Sequence, residues 1–465
     1  MSVLPGLNLS APPTLLPQAQ TARTQNLPAG SEYRFEVSFR SSLRIKLLTG
    51  TAELFGTELA ASSHQAYTFS GTKAAIYTWD GCTLELTGET ESEYVAEETQ
   101  MSSYANVHFA LERLRDSAQA AGGLGPRVLI VGPENAGKTS LAKILTSYAN
   151  KAERLPVVVN LDPRQGMLAP PGAFSAATFA GILDIEEGWG SSSISGPTAI
   201  PAKVPLVYHY GLPSPEDNSA VFKPLVTRMA LAVTSRLEED PDARVSGCVI
   251  DTAGSISQGK GGQYENIQHI VSEFSVNVLL VLGSERLSSD LSRRFSAKNG
   301  EDAVAVVKLD KSGGCVDRDE SYMRQLRQSQ IRSYFFGRPG STLSPHTHML
   351  DHNQLNIFRI DQASAHPNLS FLPGDDEDNA AASTSLYEQV QPSMMMQNCL
   401  LAVTSADPYE NEENIRDASV MGYVYVADVD EAKKKVRILA PVSGRVPPKA
   451  LVWGSWPEDV ADLVG

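Results

Sequence analysis

The stretch from Gly132 to Thr139, with the sequence GPENAGKT, could bind the phosphates of a nucleotide. It matches the pattern G-x-x-x-x-G-K-T, in which the glycines let backbone N–H groups approach phosphate oxygens without a Cβ in the way. The lysine of this pattern reaches the β- and γ-phosphates, and the threonine hydroxyl binds Mg²⁺. The sequence therefore predicts a site for a nucleoside triphosphate with Mg²⁺. The residues expected to hold it are Gly132, Asn135, Ala136, Gly137, Lys138, Thr139 and Ser140.

A buried strand and an amphipathic helix must position this loop. Residues 128–131 are VLIV, a short apolar run that indicates a strand ending directly before the loop. After the loop, apolar residues recur at helical spacing and predict a helix that begins near Ser140. The positive end of its dipole would face the bound anion and stabilise it. The apolar face of this predicted helix consists of Leu141, Ile144, Leu145 and Tyr148.

Two further strands end in carboxylates that could serve the same site. Asp162 follows the apolar residues 156–161, and Asp251 follows another strand-like run. Ligands of parallel α/β sheets bind at the carboxyl ends of the strands, so Asp162 is a candidate to hold Mg²⁺ or to orient an acceptor hydroxyl. An aspartate after a strand can also simply cap a turn. Its position one β–α unit past the phosphate loop favours the functional interpretation.

Three arginines follow the next predicted strand, at Arg286, Arg293 and Arg294. On a short helical stretch they can form a solvated surface. Beside a nucleotide, arginines also neutralise a phosphoryl group during its transfer. The residue pattern alone leaves both interpretations open.

Composition excludes several classes of protein. The 465 residues carry a net charge of −15, and affinity for the nucleic-acid backbone comes from clustered basic residues, so any RNA contact must be local or shared with partners. The four cysteines are far apart and show no C-x-x-C pair, which argues against a disulfide framework and favours a reducing compartment. No signal peptide or membrane-length apolar run is present, so we expect a soluble intracellular protein.

The pattern of strands and turns predicts a multidomain α/β protein. Residues 1–30 are expected to be a flexible leader, because they are rich in Pro, Thr and Gln. Residues 31–100 show short strands with regularly spaced glycine turns, typical of a β-sandwich. Residues 101–125 predict a linker helix and residues 126–338 a central P-loop NTPase domain with a parallel sheet. Residues 339–465 predict a small, mostly β C-terminal domain. Within the central domain, we expect surface loops over residues 186–218, which hold Gly, Ser and Pro clusters.

Several segments, in this order, resemble the Clp/Grc-type polynucleotide 5′-hydroxyl kinases. Within that family the chain is most similar to the branch that supplies a subunit of the fungal mRNA cleavage and polyadenylation factor IA. The resemblance covers nearly the whole chain beyond the leader. The segments that carry it are residues 47–59, 132–140, 160–165, 205–211, 245–250, 284–287 and 311–314.

The resemblance implies a fold and a set of functional residues. It implies an N-terminal β-sandwich, a central P-loop domain and a C-terminal domain, with Glu32 and Lys73 contributing to an adenine pocket for ATP. Active members transfer the ATP γ-phosphate to a 5′-hydroxyl, using Mg²⁺, the loop lysine, a carboxylate and arginines that clamp the transferred group. The residues that match these parts by position are Lys138, Thr139, Asp162, Arg286 and Arg293, with Thr139 and Asp162 on Mg²⁺.

The resemblance also implies partners and a location. The scaffold subunit of cleavage factor IA and other mRNA 3′-end processing factors are the expected partners, RNA contact is expected to be indirect or weak, and no membrane is involved. The expected location is the nucleus.

Two departures from the family pattern bear on activity. Active kinases of the family resemble T-x-G-W after the third strand, where the tryptophan stacks on a substrate base, but this chain has Ser255 there. A base–aromatic stack contributes roughly 1–3 kcal/mol. The loop also carries Glu134, whose carboxylate could oppose an incoming anion. We therefore hypothesise an ATP-binding structural subunit with weak or no kinase activity, and the alternative is an active polynucleotide kinase.

A P-loop GTPase is a third interpretation. Residues 251–254, DTAG, match the D-x-x-G pattern that senses a γ-phosphate in such proteins. No [N/T]-K-x-D guanine-reading motif follows, because Lys308-Leu-Asp310 lacks the preceding Asn or Thr. The base of the bound nucleotide distinguishes this interpretation from the first two.

Overall fold

In the computed structural model, three sheet-containing domains follow one another along the chain, and the predicted fold class is confirmed. The structure describes residues 22–61, 65–189, 204–259, 263–295, 303–338, 341–360, 386–461 and 463. Residues 1–21 of the predicted leader lie outside this part of the chain, as does the middle of the predicted loop region 186–218.

The N-terminal domain is a sandwich of two antiparallel sheets, with strand orders β1-β8-β3-β6 and β5-β4-β7-β2-β9. Apolar side chains that alternate along the strands fill the space between the sheets, as expected when each sheet has one buried face. The strands are β1 Arg23–Leu27, β2 Ser31–Val37, β3 Leu43–Gly50, β4 Glu53–Leu54, β5 Thr57–Glu58, β6 Tyr67–Phe69, β7 Thr72–Thr78, β8 Cys82–Gly88 and β9 Ser92–Ala96.

The prediction that residues 1–30 form a flexible leader is wrong for β1. This strand pairs antiparallel with β8 at the edge of the first sheet, with Arg23 opposite Leu86 and Leu27 opposite Cys82. Only Leu27 is buried, so the strand lacks the apolar alternation by which a sequence pattern reveals a strand. Backbone pairing and the ion pair from Arg23 to Glu93 hold it in place instead.

The central domain is built on a seven-stranded sheet of order β13-β12-β11-β14-β10-β15-β16. Five neighbouring strands are parallel, and β12 and β13 extend the sheet at one side by antiparallel pairing, β12 with β11 and β13 with β12. The strands β10, β11, β14 and β15 are almost entirely buried, because helices cover both faces of the sheet. The elements are α1 Met101–Ala121, β10 Arg127–Val131, α2 Lys138–Lys151, β11 Val157–Leu161, β12 Ala173–Thr178, β13 Leu206–His209, α3 Ser219–Glu239, α4 Pro241–Ser246, β14 Cys248–Thr252, α5 Glu265–Glu273, β15 Val278–Leu282, α6 Glu285–Phe295, β16 Ala305–Leu309 and α7 Glu320–Phe336.

The prediction of surface loops over residues 186–218 is wrong for Leu206–His209, which forms β13. Strand β12 also escaped prediction, since its sequence AFSAAT is dominated by small residues without strand preference. Strand β12 pairs antiparallel with β11, and β13 pairs antiparallel with β12; neither contact can be read from the local sequence.

Helix α1 is more than a linker, because its apolar side packs on the central domain. Met101, Tyr104 and Leu111 belong to the same core as α2 and β10. The buried Arg115 donates from Nε to the carbonyl of Ser246 over 3.0 Å. No helix in the described part of the chain has the length and apolar character needed to cross a membrane.

The C-terminal domain contains a second seven-stranded sheet, of order β19-β24-β23-β22-β25-β20-β21. One of its faces joins the core of the central domain, so that Tyr423 and Tyr425 pack with Tyr334 and Phe335 of α7. The elements are β17 Gly337–Arg338, β18 Ser341–Thr342, β19 His346–Asp351, β20 Asn356–Ile360, β21 Tyr387–Val390, β22 Leu400–Thr404, α8 Glu412–Arg416, β23 Val420–Asp430, β24 Lys435–Ala440 and β25 Ala450–Trp453.

A buried histidine lies in this shared core. His209, at the end of β13, is 4% exposed and contacts the ring of Tyr423, with 5.8 Å between the centroids. Neither ring nitrogen has a hydrogen-bond partner among the described residues. Burial therefore lowers the pKa of His209 from 6.5 to about 4.

This histidine makes the domain interface acid-sensitive. Between pH 6.5 and pH 4 the unfolded chain protonates at position 209 while the folded chain does not, so stability falls as the pH drops through that window. From pH 7 to pH 5 the loss attributable to His209 is about 2 kcal/mol. We expect His209→Phe, which keeps the ring contact, to show a smaller fall in its thermal midpoint between these two pH values than the wild type. Parallel pH profiles of the two proteins would contradict this assignment.

Candidate nucleotide-binding site

A cavity of about 1420 Å³ lies between the N-terminal and central domains, with the phosphate loop on its wall. The structure brings together at this cavity most of the residues predicted from the sequence. Those that line it are Glu32, Lys73, Asn135, Ala136, Gly137, Lys138, Thr139, Ser140 and Asp162, whereas Gly132, Arg286 and Arg293 do not.

The phosphate loop connects β10 to α2 in a conformation that leaves backbone donors available. Gly132 and Gly137 have positive φ angles of 156° and 90°. A Cβ on Gly132 would lie 2.6 Å from the carbonyl oxygen of Leu282, so only glycine fits there. The N–H groups of Glu134, Asn135 and Gly137 donate no hydrogen bond to any described residue. Unpaired amide groups at a helix start form a binding site for an anion.

Lys138 begins α2 and is almost fully buried. Its Nζ donates to the carbonyl of Pro133 over 2.8 Å, so the side chain folds back along the loop. Burial lowers the pKa of Lys138, against the opposing influence of the Asp251 and Asp162 carboxylates. An anion bound in the loop would favour the charged form of Lys138 and so oppose that shift.

The carboxylate that contacts Thr139 is Asp251, which the sequence placed at the same edge of the sheet but did not assign to the magnesium site. The Thr139 hydroxyl donates to Asp251 Oδ2 over 2.6 Å. Burial raises the pKa of Asp251 to about 6, although the Thr139 hydrogen bond and the charge of Lys138 act in the opposite direction. A threonine hydroxyl beside a buried carboxylate is a suitable pair of oxygens for Mg²⁺. The sequence did contain a signal, since Asp251 ends a predicted buried strand.

Asp162 lies at the end of β11 and caps its own turn while lining the cavity. Its Oδ1 accepts the N–H of Arg164 over 2.9 Å, and its Oδ2 accepts from Gln165 Nε2 over 3.3 Å. Asn160 closes the same turn by donating to the carbonyl of Gln165 over 2.8 Å. Both interpretations of Asp162 from the sequence are therefore compatible with its position.

Ion pairs between side chains of this protein extend across the phosphate loop at Glu134. Arg164 Nη1 contacts Glu134 over 3.1 Å, and its Nη2 contacts Glu320 over 2.5 Å. Arg318 reaches across from the start of α7 and donates to Asn135 over 3.4 Å and to Gln165 over 3.2 Å. Sequence analysis missed both arginines, because no spacing rule predicts that these loops fold back over the phosphate loop.

The two residues expected in an adenine pocket form ion pairs within the N-terminal domain, and Lys73 also contacts the central domain. Glu32 pairs with Arg34 over 2.7 Å and accepts a hydrogen bond from Thr99. Lys73 pairs with Glu36 over 2.7 Å, and its Nζ lies 5.1 Å from the centre of the Tyr322 ring. Both face the cavity from the N-terminal domain, so a nucleotide there would contact two domains at once.

Arg286 and Arg293 point away from the loop. Both lie on α6, with side chains 86% and 76% exposed, and both pair with Asp290. The solvated-surface interpretation describes their position in this structure. Ser255 lines the cavity where the family pattern places tryptophan, and its hydroxyl bonds to Ser214 over 3.0 Å.

The residues present fit a nucleoside triphosphate with Mg²⁺. Unpaired amides and Lys138 would hold the phosphates, while Thr139 with Asp251 or Asp162 would hold the metal. Bound Mg²⁺ supplies neutralisation of phosphate charge. Hydrogen bonds from Lys138 to Pro133 and from Arg318 to Asn135 fix the loop that would hold the phosphates.

Three family models match consecutive parts of the chain. The model described as mRNA cleavage and polyadenylation factor CLP1 P-loop matches residues 132–337. The N-terminal beta-sandwich domain of polyadenylation factor matches residues 26–118, and pre-mRNA cleavage complex II protein Clp1 matches residues 343–458.

Relatives with full-length similarity carry the same description. The mRNA cleavage and polyadenylation factor CLP1 of Phaeosphaeria nodorum is 58% identical over 473 residues, covering 100% of both chains. That of Botryotinia fuckeliana is 55% identical, covering 99% of this chain and 100% of the relative.

Two solved structures share the fold. The wild-type Clp1p–Pcf11p complex aligns with a TM-score of 0.83 at 30% identity, covering 94% of this chain and 98% of the other. A second structure, with the same TM-score and identity and covering 94% and 99%, concerns an extended Pcf11p–Clp1p interface and the basis of ATP loss in a glycine-to-arginine mutant.

The Thr139–Asp251 contact yields a test of the metal ligands. Asp251→Asn keeps the side-chain shape but removes the charge, and a hydrogen bond to a charged group contributes about 1.5–3 kcal/mol. We expect at least about a tenfold loss of ATP affinity with Mg²⁺ and a much smaller loss in EDTA. Asp162→Asn, measured by the same titration calorimetry, tests the other candidate carboxylate, and the larger Mg²⁺-dependent loss identifies the metal ligand. If Asp251→Asn weakens binding equally with and without Mg²⁺, the assignment of Asp251 to the metal is wrong.

Proposed function

This chain belongs to the Clp1 family of mRNA cleavage and polyadenylation factors, and we propose that it is an ATP-binding structural subunit of the cleavage and polyadenylation complex. In this role it would be required for endonucleolytic cleavage during mRNA 3′-end formation, with weak or no kinase activity of its own.

The position of the phosphate loop between two domains supports a structural role for ATP. The loop and Lys138 face the cavity from the central domain, while Glu32 and Lys73 face it from the N-terminal domain. A ligand that contacts both domains stabilises their docked arrangement by RT ln(1 + [L]/Kd). ATP would then fix the surface that the protein presents to its partners.

The ion pairs across the phosphate loop are the observation that supports weak or absent kinase activity. Glu134, Arg164 and Glu320 occupy the end of the loop next to Asp162, where an acceptor hydroxyl would have to enter. Ser255 offers no aromatic face for a base. Arg286 and Arg293 lie outside the cavity, so they do not clamp a phosphoryl group in this arrangement. Lys138 and Asp162 still face the cavity, which keeps an active kinase as the second candidate.

The partner we propose is the scaffold subunit of cleavage factor IA, together with other 3′-end processing factors. The solved relative in complex with Pcf11p supports this assignment. We infer a nuclear location from the description of the relatives as mRNA cleavage and polyadenylation factors. The net charge of −15 favours indirect or weak RNA contact.

The structural role predicts that purified protein retains ATP. We expect close to one equivalent of adenine nucleotide, released by acid and measured by chromatography, and a large loss in Lys138→Ala. The control is Lys151→Ala at the other end of α2, which removes contacts to Glu53 and Glu58 across the domain interface without touching the loop. Guanine nucleotide in the extract would favour a GTPase, and absence of nucleotide in the wild type would contradict the proposal.

Transfer activity is tested separately. Incubation with γ-labelled ATP, Mg²⁺ and a 5′-hydroxyl RNA should label the RNA at a rate at least about a hundredfold below that of an active family member, because base stacking and the arginine clamp are absent. Labelling at a comparable rate would establish the second candidate instead.

A further inference from the structure

The C-terminal segment Trp456–Glu458 reaches back to the nucleotide site. Trp456 lines the same cavity as the phosphate loop, and its indole Nε1 donates to the carbonyl of Pro163 over 3.0 Å. Pro163 directly follows Asp162. The same carbonyl also accepts the N–H of Gly172 over 2.8 Å. The indole therefore closes the turn that carries the cavity-facing carboxylate.

Glycines let the backbone of the C-terminal segment approach the backbone of the central domain closely at this point. A Cβ on Gly172 would lie 2.8 Å from the carbonyl oxygen of Trp456, and a Cβ on Gly454 would lie 2.2 Å from that of Gly211. The backbone N–H of Trp456 donates to the Gly211 carbonyl over 3.1 Å. The segment thus lies directly on the β11–β12 and β13 loops rather than beside them.

Arg327 of α7 forms ion pairs that connect the C-terminal segment to the charged residues beside the phosphate loop. Its side chain is 1% exposed, and its guanidinium lies 4.3 Å from the centre of the Trp456 ring. It donates to Glu458 Oε1 at 2.6 Å, to Glu458 Oε2 at 2.9 Å and to Glu320 at 2.5 Å. Such a buried cation tolerates little displacement of its two carboxylates, because their loss would leave its charge buried without compensation.

The series of ion pairs continues to the phosphate loop. The second oxygen of Glu320 accepts from Arg164, and Arg164 contacts Glu134 inside the loop. Glu458, Arg327, Glu320, Arg164 and Glu134 therefore form an unbroken row of alternating charges. One end is the C-terminal segment and the other end is the loop.

We propose that the segment Trp456–Glu458 is a positioning element of the nucleotide site, so that ATP binding and docking of the C-terminal segment stabilise each other. Trp456 fixes the Asp162 turn through Pro163, and Arg327 with Glu458 fixes the charges that reach Glu134. The inference rests on the proposed nucleotide binding. Coupling between two sites is reciprocal, so each event strengthens the other by the same factor.

General loss of packing between the central and C-terminal domains is a different explanation for weaker ATP binding in such variants. A hydrogen bond elsewhere in the same interface provides a control for it. Tyr334 Oη accepts the N–H of Tyr423 over 2.9 Å in the core shared by the central and C-terminal domains. This hydrogen bond joins the same two domains but touches neither the Asp162 turn nor the row of charges. Tyr334→Phe removes it while keeping the ring.

The test measures ATP affinity of the full-length protein with Trp456→Phe, Glu458→Gln and Tyr334→Phe. We expect Trp456→Phe and Glu458→Gln to weaken ATP binding about three- to tenfold, the range of one lost hydrogen bond, and Tyr334→Phe to stay within about twofold of the wild type. In the reciprocal measurement, ATP should slow hydrogen exchange of residues 456–460 in the wild type and much less in Trp456→Phe. Residues 346–351, in the distant edge strand β19, serve as the internal reference.

Each outcome decides the inference. Equal ATP affinity of Trp456→Phe and the wild type overturns it, as does a loss in Tyr334→Phe as large as that in Trp456→Phe. If Glu458→Gln fails to fold, Trp456→Phe alone still gives the answer. If the wild type binds no ATP, the proposed function itself is wrong. If the wild type and Trp456→Phe bind ATP equally well, only the role proposed for the C-terminal segment is wrong.

Discussion

The unpaired amides of the phosphate loop are the constraint on which the rest of the structure depends. Backbone N–H groups at Glu134, Asn135 and Gly137 face a cavity without an acceptor from the described residues. A bound anion would supply the acceptors that these amide groups lack. The left-handed glycines, the buried start of α2 and the back-folded Lys138 all serve to hold these donors in that state. The arrangement is complete only with a ligand.

Sequence alone predicted the parts of this arrangement that depend on local pattern. The strand β10, the loop and α2 follow from an apolar run, two glycines and a helical period, and all three occur where expected. The domain order was also predictable, because strand spacing changes at each boundary. The edge strands β1 and β12 were not, since polar or small residues leave no periodic signal and only pairing with a distant strand defines them.

The candidate site likewise contains residues that local sequence predicts and residues that only tertiary packing brings together. Lys138, Thr139 and Asp162 are fixed by their neighbours in the chain and line the cavity as predicted. Arg164, Arg318 and the pairing of Asp251 with Thr139 depend on how separate loops converge, which spacing does not encode. Arg286 and Arg293 differ from these, because the family pattern predicts a phosphate-clamping role while their side chains are exposed outside the cavity in this structure. Residue type identifies a chemistry, but only tertiary packing decides which of several arginines supplies it.

The contact between Trp456 and Pro163 has a consequence for folding kinetics. The two residues are 293 positions apart in the chain, so their hydrogen bond closes one of the longest loops in the protein. Contacts of such high sequence separation form late, after the local strands and helices have assembled. A nucleotide site that needs this contact is complete only when the C-terminal segment has docked, so its ligand would bind the folded protein. ATP should therefore slow unfolding far more than it accelerates folding, which would make this nucleotide a determinant of kinetic lifetime.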